Sequence, residues 1–135
     1  MRGANVVPAL QPSGYLRLIA ASRPAAEQTI ARQIDEGRFA ELSNSLVLPP
    51  VDDLRQAAFF LPYALLRTNA DSALAAKEAY GELLARLKAL DGAAIAAAHY
   101  QAEEVEVAAA LGAFLSALDG VVAAASGQRA PAASA

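Results

Sequence analysis

Residues 71–98 carry a long helical pattern, and this stretch constrains the fold more than any other part of the chain. Its apolar residues recur at steps of three and four: Leu74, Tyr80, Leu83, Leu84, Leu87, Leu90, Ala94 and Ile95. Its charged residues occupy the opposite side: Lys77, Glu78, Glu82, Arg86, Lys88 and Asp91. A helix of this stretch would be roughly 42 Å long and would need partner helices of similar length to bury its apolar face. The sequence therefore predicts an all-α protein.

Helical patterns also precede this stretch. The first begins near Gly14 and ends at Gly37, a residue suited to a helix C-terminus because it tolerates positive φ. Residues 38–45 follow as a short helix or turn. A second long helix starts with Asp52 or Asp53 as its N-cap, because a carboxylate accepts hydrogen bonds from free backbone N–H groups.

Three residues inside these patterns bear on helix continuity. Pro24 and Pro62 remove a backbone hydrogen bond, so we expect a kink or a restart at each. The apolar spacing stays in phase across Gly92, so we expect the central helix to continue there. Asn69 or Asp71 is its expected N-cap.

A last helical pattern covers residues 102–125. Four long segments joined by short links predict an up-down-up-down four-helix bundle over residues 14–125. Residues 1–13 are expected to form an extended N-terminal arm, because prolines interrupt any helix there. Residues 126–135 lack large apolar side chains other than proline and are expected to form a disordered, flexible tail.

Composition excludes several kinds of chemistry. The chain has no cysteine, which excludes disulfides and thiolate catalysis. Its single histidine, His99, excludes a di-iron carboxylate centre, which needs two Glu-x-x-His motifs. No glycine-rich phosphate loop occurs, and the paired acids of the chain lie at predicted helix starts, where capping explains them. We therefore predict a protein that is not an enzyme and has no cofactor and no metal.

The charge and the aromatic content argue against nucleic acid as a partner. The net charge is −3, with four Phe, four Tyr and no Trp. A general nucleic-acid binder needs a basic surface or aromatic side chains on which bases stack. We therefore expect proteins as partners.

Residues 107–127 are apolar enough to raise the question of a membrane span. Asp119 is their only charged residue. A mid-helix aspartate costs about 2.5–3.5 kcal/mol on membrane insertion. We therefore favour a core helix, with a small membrane-associated subunit as the alternative. We also expect no signal peptide of the usual form at the N-terminus, because Pro8 and Pro12 interrupt its apolar run.

The densest aromatic run, FFLPY, occupies residues 59–63. Apolar helix faces normally lie in the core, so a core position is expected, and a partner-binding patch is the alternative. A pocket near Pro62 lined by Tyr63 would instead indicate a small-molecule carrier or an enzyme.

Several segments, taken in order, resemble the PsbQ family. They are ARQIDEGRFAEL at residues 31–42, the Pro49-Pro50 pair, DLRQAA at 53–58, AYGELLARLKALDGAA at 79–94 and AFLSALDGVV at 113–122. The resemblance implies a non-catalytic, extrinsic subunit of photosystem II that forms a four-helix bundle in the thylakoid lumen of a chloroplast, peripheral to the membrane. Its implied partners are photosystem core subunits and neighbouring extrinsic proteins; photosystem I and antenna complexes stay open as alternatives.

The resemblance also implies where partners bind. Members of the family often hold their neighbours through the N-terminal arm, and arginine suits protein interfaces because its planar group binds carboxylates. The candidate partner-binding residues are Val6, Val7, Pro8, Leu10, Tyr15, Arg17, Arg55 and Arg67. For the arginines, a solvated face is the alternative interpretation.

Overall fold

A computed structural model of the chain describes residues 11–127, and these residues form five α-helices and no strand. The helices are α1 (Pro12–Asp35), α2 (Phe39–Ser45), α3 (Val51–Leu65), α4 (Ala70–Ala98) and α5 (Glu104–Ala125). The predicted all-α class is confirmed. The predicted arm over residues 1–10 and the tail over residues 128–135 lie outside the described residues.

Helix α1 begins two residues earlier than predicted, so Pro12 and Ser13 belong to a helix and not to the arm. Proline is well placed at the start of a helix, because its missing N–H would have no partner there. The helix runs without interruption through Pro24. It ends before Gly37, whose φ of 71° confirms the predicted role of this glycine.

Helix α3 corrects the expected N-cap. Its N-cap is Pro50, so neither Asp52 nor Asp53 caps it. The reason is that helical hydrogen bonding has already begun, since the Asp52 N–H donates to the Leu48 carbonyl oxygen at 3.0 Å. Both carboxylates lie in the first turn, where negative charge complements the helix dipole. The helix also continues through Pro62 without a restart.

Helix α4 is 29 residues long and continues through Gly92, as predicted. Asn69 is its N-cap, and the Asn69 Oδ1 accepts a hydrogen bond from the Ser72 N–H at 3.0 Å. Helix α5 starts at Glu104, and the Glu103 N–H donates to the Glu106 carboxylate at 2.8 Å. Local capping therefore fixes the start of both helices.

All five helices contribute to one core. Helix α4 packs against α5, α3 and α2, while α1 packs against α3, α5 and α2. The largest fully buried side chains are Tyr15, Phe114, Ile19, Ile30, Leu42, Leu54, Leu61, Leu83, Leu90, Leu118, Val51 and Val107. Because these side chains come from every helix, the core depends on all of them being in place.

The buried face of α4 differs from the predicted one. Leu74, Leu84 and Ile95 were expected in the core, but they are 60%, 39% and 44% exposed. The buried positions of the helix are Ser72, Ala73, Ala76, Leu83, Leu90, Ala94 and Ala97. Small side chains allow neighbouring helices to approach closely, so this face takes few large residues.

The difference between two neighbouring leucines tests this burial pattern. Leu83→Ala should lower the free energy of unfolding by about 2–5 kcal/mol, because it leaves a cavity in the core. Leu84→Ala should change it by less than about 1 kcal/mol, because that side chain is partly in solvent. Urea unfolding followed by circular dichroism measures both, and equal losses would contradict the assigned face.

Candidate functional site

An open groove of about 530 Å³ lies between the C-terminal half of α3 and the N-terminal half of α4. We call it the aromatic groove. Its lining residues are Phe59, Pro62, Tyr63, Leu66, Ala70, Ala73, Leu74, Lys77, Tyr80 and Gly81. All but one of these side chains are uncharged, so the groove is a largely apolar surface.

The local sequence explains how the groove forms. Residues 66–69 link α3 to α4 and hold the two helices side by side. Phe59 and Tyr63 lie one turn apart on α3, with ring centroids 5.5 Å apart. Phe59 also contacts Tyr80 across the two helices, edge to face at 5.7 Å. Aromatic rings therefore form one wall, while small residues of α4 leave room between the helices.

The exposed apolar residues of the groove are contiguous, unlike single apolar side chains scattered over a surface. Tyr63, Leu66 and Leu74 are 61%, 59% and 60% exposed, and they line the same groove. Single exposed apolar side chains are common, but a contiguous patch marks a binding surface. The groove is therefore the candidate functional site.

The aromatic run at residues 59–63 was expected in the core, and this expectation is correct only in part. Leu61 and Pro62 are buried, and Phe60 is half-buried. Phe59 and Tyr63 are exposed and line the groove. The alternative of a partner-binding patch therefore fits these two residues better.

Lys77 is the one charged residue that lines the groove, and the Tyr80 hydroxyl accepts a hydrogen bond. Lys77 is exposed and has no ion pair among residues 11–127. Behind the groove, Arg55 donates to Asp52 Oδ1 from Nε at 2.9 Å and to the Tyr80 hydroxyl from Nη1 at 3.4 Å. The groove thus offers an apolar surface with a positive charge at one position.

The pKa of Arg55 is set by opposing effects. Its partial burial lowers the pKa, but the hydrogen bonds to Asp52 and Tyr80 and the charge of Asp52 outweigh it and raise the pKa above its usual value. Asp52 and Tyr80 therefore both favour the charged form of Arg55.

The structure distributes the predicted partner-binding residues over different environments. Tyr15 is fully buried, and its ring stacks on Phe60 at 6.1 Å, so it lies in the core and not at the surface. Arg17 and Arg67 are exposed, while Arg55 is half-buried and already bonded. The arm residues Val6, Val7, Pro8 and Leu10 lie outside the described residues, and their role stays a prediction.

Sequence reasoning missed Leu66, Leu74, Lys77 and Tyr80 as parts of one site. The helical period had placed Leu74 and Tyr80 on the core face of α4, with Lys77 opposite. No sequence signal indicates that α4 turns these residues toward the end of α3. The groove becomes visible only when the two helices are placed together.

Within residues 11–127, no group of three or more His, Asp or Glu side chains is placed to hold a metal ion. Two buried polar atoms there have no hydrogen-bond partner: Gln33 Oε1 and Asp53 Oδ1. Asp53 alone does not provide the pair of acid and base that general acid–base catalysis uses. His99 is an exposed residue at the end of α4, with Nδ1 2.9 Å from the Ile95 carbonyl oxygen.

Helix α5 is the one helix of the described residues that is long and apolar enough to cross a membrane, with a mean hydropathy of 1.9. Core helices of other proteins meet the same criterion. In this structure α5 packs against α4, and its Asp119 accepts two hydrogen bonds from Arg23 of α1 at 3.0 and 3.1 Å. These contacts fit a helix that packs one face against the rest of the protein.

Comparisons with known proteins returned no matching family model, no matching curated protein and no matching solved structure. Function is therefore inferred from the chemistry of the groove and from the sequence resemblance described above.

The ion pair of Arg55 and Asp52 is open to a double-mutant cycle on Arg55→Gln and Asp52→Asn. The coupling energy should be about 0.2–1 kcal/mol, because both groups are partly exposed, and it should fall as salt is added. A raised pKa contributes stability that is lost only when the pH rises through the folded-state value, so the coupling should be constant between about pH 6 and pH 9.

The more exposed pair of Arg86 and Glu82 is the matched control and should show a smaller coupling. Urea unfolding of the single and double variants measures both pairs. A coupling for Arg55 and Asp52 that disappears by pH 9 would contradict a guanidinium held in its charged form.

Proposed function

We propose that the chain is a non-catalytic helical subunit that docks on a larger protein complex through the aromatic groove. The proposed complex is a photosystem on the lumenal side of the thylakoid membrane, with photosystem II favoured. Docking would stabilise the complex or its oxygen-evolving centre. The chain would then be peripheral to the membrane.

One observation carries the docking proposal. Tyr63, Leu66 and Leu74 present apolar surface to solvent in one groove. Full burial of a leucine side chain contributes about 1.5–3 kcal/mol relative to full exposure, so a partner that covers the partly exposed Leu66 and Leu74 adds part of that free energy. Among residues 11–127 this groove is also free of any paired acids or metal ligands that would indicate catalysis.

The chemistry of the groove indicates the chemistry of the partner. Aromatic and aliphatic walls favour an apolar segment, and the unpaired Lys77 favours a carboxylate on that segment. Arg17 and Arg67 are exposed and have no ion pair among residues 11–127, so they are available to further acidic groups of a partner.

The helix contacts support the bundle that the proposal includes. Helix α3 packs on α4, α4 packs on α5, and α1 packs on both α3 and α5. These contacts fit an up-down-up-down four-helix bundle in which α1, α3, α4 and α5 form the four long members. The short α2 follows α1, in the stretch where the sequence predicts a short helix or turn.

A second candidate function is favoured by the size of the groove. A volume of about 530 Å³ lies within the range of small-molecule sites. An apolar lining with one amine would suit an amphipathic ligand with an anionic group. A carrier of such a molecule is therefore the alternative to a docking subunit.

Paired substitutions in the groove test the docking function. Tyr63→Ser with Leu66→Ser should weaken co-sedimentation with isolated photosystem particles about tenfold or more, because two side chains lose apolar burial. The matched control is Val47→Ser with Val105→Ser, which changes two apolar residues that are 73% and 69% exposed and lie outside the groove. The control should bind like the unchanged protein.

Equal binding by the groove variant and the control would contradict docking through the groove. No sedimentation of the unchanged protein with photosystem particles would contradict the proposed partner. Saturable binding of a fatty acid, lost in the groove variant, would then support the carrier.

A further inference from the structure

We propose that α4 forms an antiparallel pair with α4 of a second copy of this chain, with Leu84 at the two-fold axis. Such a dimer goes beyond the proposed function, because it is a property of the free protein and involves no photosystem. It shares one surface with the proposed docking, since the second copy would cover the aromatic groove.

The surface for this pair runs along α4 from Ala70 to Asp91. The aromatic groove covers its first part. A second groove of about 400 Å³ covers the rest, with Leu84 and Asp91 on the α4 side and Ser43 of α2 on the other. The two grooves together follow α4 for about 32 Å. This surface, which we call the α4 surface, is long enough for a partner helix of about six turns.

Large apolar side chains are exposed along the length of α4. Leu74 is 60% exposed in the aromatic groove, and Leu84 is 39% exposed in the second groove. Ile95, one turn beyond Asp91, is 44% exposed. These side chains gain free energy when a partner removes them from water. Their spread over many turns favours a long helix as the partner.

Two charges on the α4 surface determine the direction of the partner helix. Lys77 and Asp91 each lie seven residues from Leu84, nearly two full turns, so the three residues share one side of α4. Neither charge has an ion pair among residues 11–127. In an antiparallel pair centred on Leu84, Lys77 of each copy lies opposite Asp91 of the other. The dimer would therefore form two equivalent ion pairs.

The Asp91 carboxylate is already positioned for such an ion pair. It is half-buried, and its Oδ1 accepts a hydrogen bond from the Ser43 hydroxyl at 2.5 Å. Because this bond uses only one of the two carboxylate oxygens, Oδ2 is left for an ammonium group of the second copy. Less side-chain freedom is then lost when the dimer forms.

The same charges disfavour other arrangements of the two helices. Parallel pairing would place Lys77 against Lys77 and Asp91 against Asp91, with like charges facing at both positions. In the antiparallel arrangement Lys88, which also lines the second groove, lies opposite Tyr80 of the second copy. A second copy also supplies its lysine and its carboxylate at the required separation of about 21 Å, because the two sequences are the same.

Gly81 allows a partner helix to approach the α4 surface closely. It is exposed in the interior of α4, where glycine is less favourable than alanine. A Cβ atom at this position would have no atom of a neighbouring element within 4 Å, so packing among residues 11–127 does not require a glycine there. Gly81 lies about one turn before Leu84, near the centre of the proposed pair.

Charge reversal in the full chain tests the dimer by sedimentation equilibrium with no other protein present. Lys77→Glu alone and Asp91→Lys alone should each raise the dimer dissociation constant about tenfold or more, because each brings like charges together at two places. The two substitutions combined in one chain should restore the affinity, because both ion pairs form again with reversed signs. Arg17→Glu, on an exposed residue of α1, changes the net charge as Lys77→Glu does and should leave the constant unchanged.

A mixture of the two single variants separates contacts between copies from effects within one chain. In a dimer of Lys77→Glu with Asp91→Lys, one ion pair is unchanged and the other has reversed signs. The two variants should therefore associate with each other about as tightly as the unchanged chain associates with itself, although each alone is mainly monomeric.

Single-cysteine variants test the register of the pair, since the chain contains no cysteine. Leu84→Cys should form a disulfide-linked dimer on mild oxidation, because position 84 of each copy meets the same position of the other at the two-fold axis. Ala89→Cys is the matched control. It is also exposed on α4 but lies about 140° around the helix from Leu84, so it should remain unlinked.

Each other result would overturn the proposal. A chain that stays monomeric up to its highest soluble concentration has no such dimer. A dimer that single charge reversal does not weaken, or that the combined reversal does not restore, uses another surface. Equal crosslinking at positions 84 and 89 contradicts the register. Because no photosystem particles are present, these failures leave the proposed docking function untouched, and a failure of docking leaves the dimer untouched.

Discussion

Helix α4 buries only small side chains over its first turns, and the groove follows from this constraint. Ser72, Ala73 and Ala76 point into the core, where they permit close contact with neighbouring helices. The exposed Leu74 and the half-buried Tyr80 line the groove beside α3. In the second half of α4, Leu83 and Leu90 are fully buried, so the helix is anchored there by large side chains. The helix is therefore held firmly at one end and presents an apolar surface at the other.

The contrast between the two halves of α4 explains why a chain without evident catalytic groups still has a candidate site. Apolar surface left in water lowers stability by roughly 25 cal/mol per Å², and a protein gains by covering it. A docking partner is the cover that we propose.

The sequence predicted the helices better than it predicted their faces. Gly37 and Asn69 mark helix ends through their own backbone and side-chain chemistry, so their roles could be recognised without tertiary structure. The buried face of α4 was harder to predict than the helix ends. Alanine is tolerated both in the core and in solvent, so it adds little to an apolar pattern. Tyr63 was identified as a possible pocket residue, whereas Leu74 and Tyr80 were assigned to the core. The exposure of Leu74 and the half-buried position of Tyr80 depend on how α3 and α4 pack together, which no local pattern encodes.

Photo-crosslinking measures the central claim, that the groove is the docking surface, most directly. A benzoylphenylalanine placed at position 63 lies in the groove, and one at position 100, where Tyr100 is 97% exposed, serves as the control. With photosystem particles present, the account predicts an adduct to a photosystem subunit from position 63 and none from position 100. Adducts of equal yield from both positions, or from position 100 alone, would contradict it.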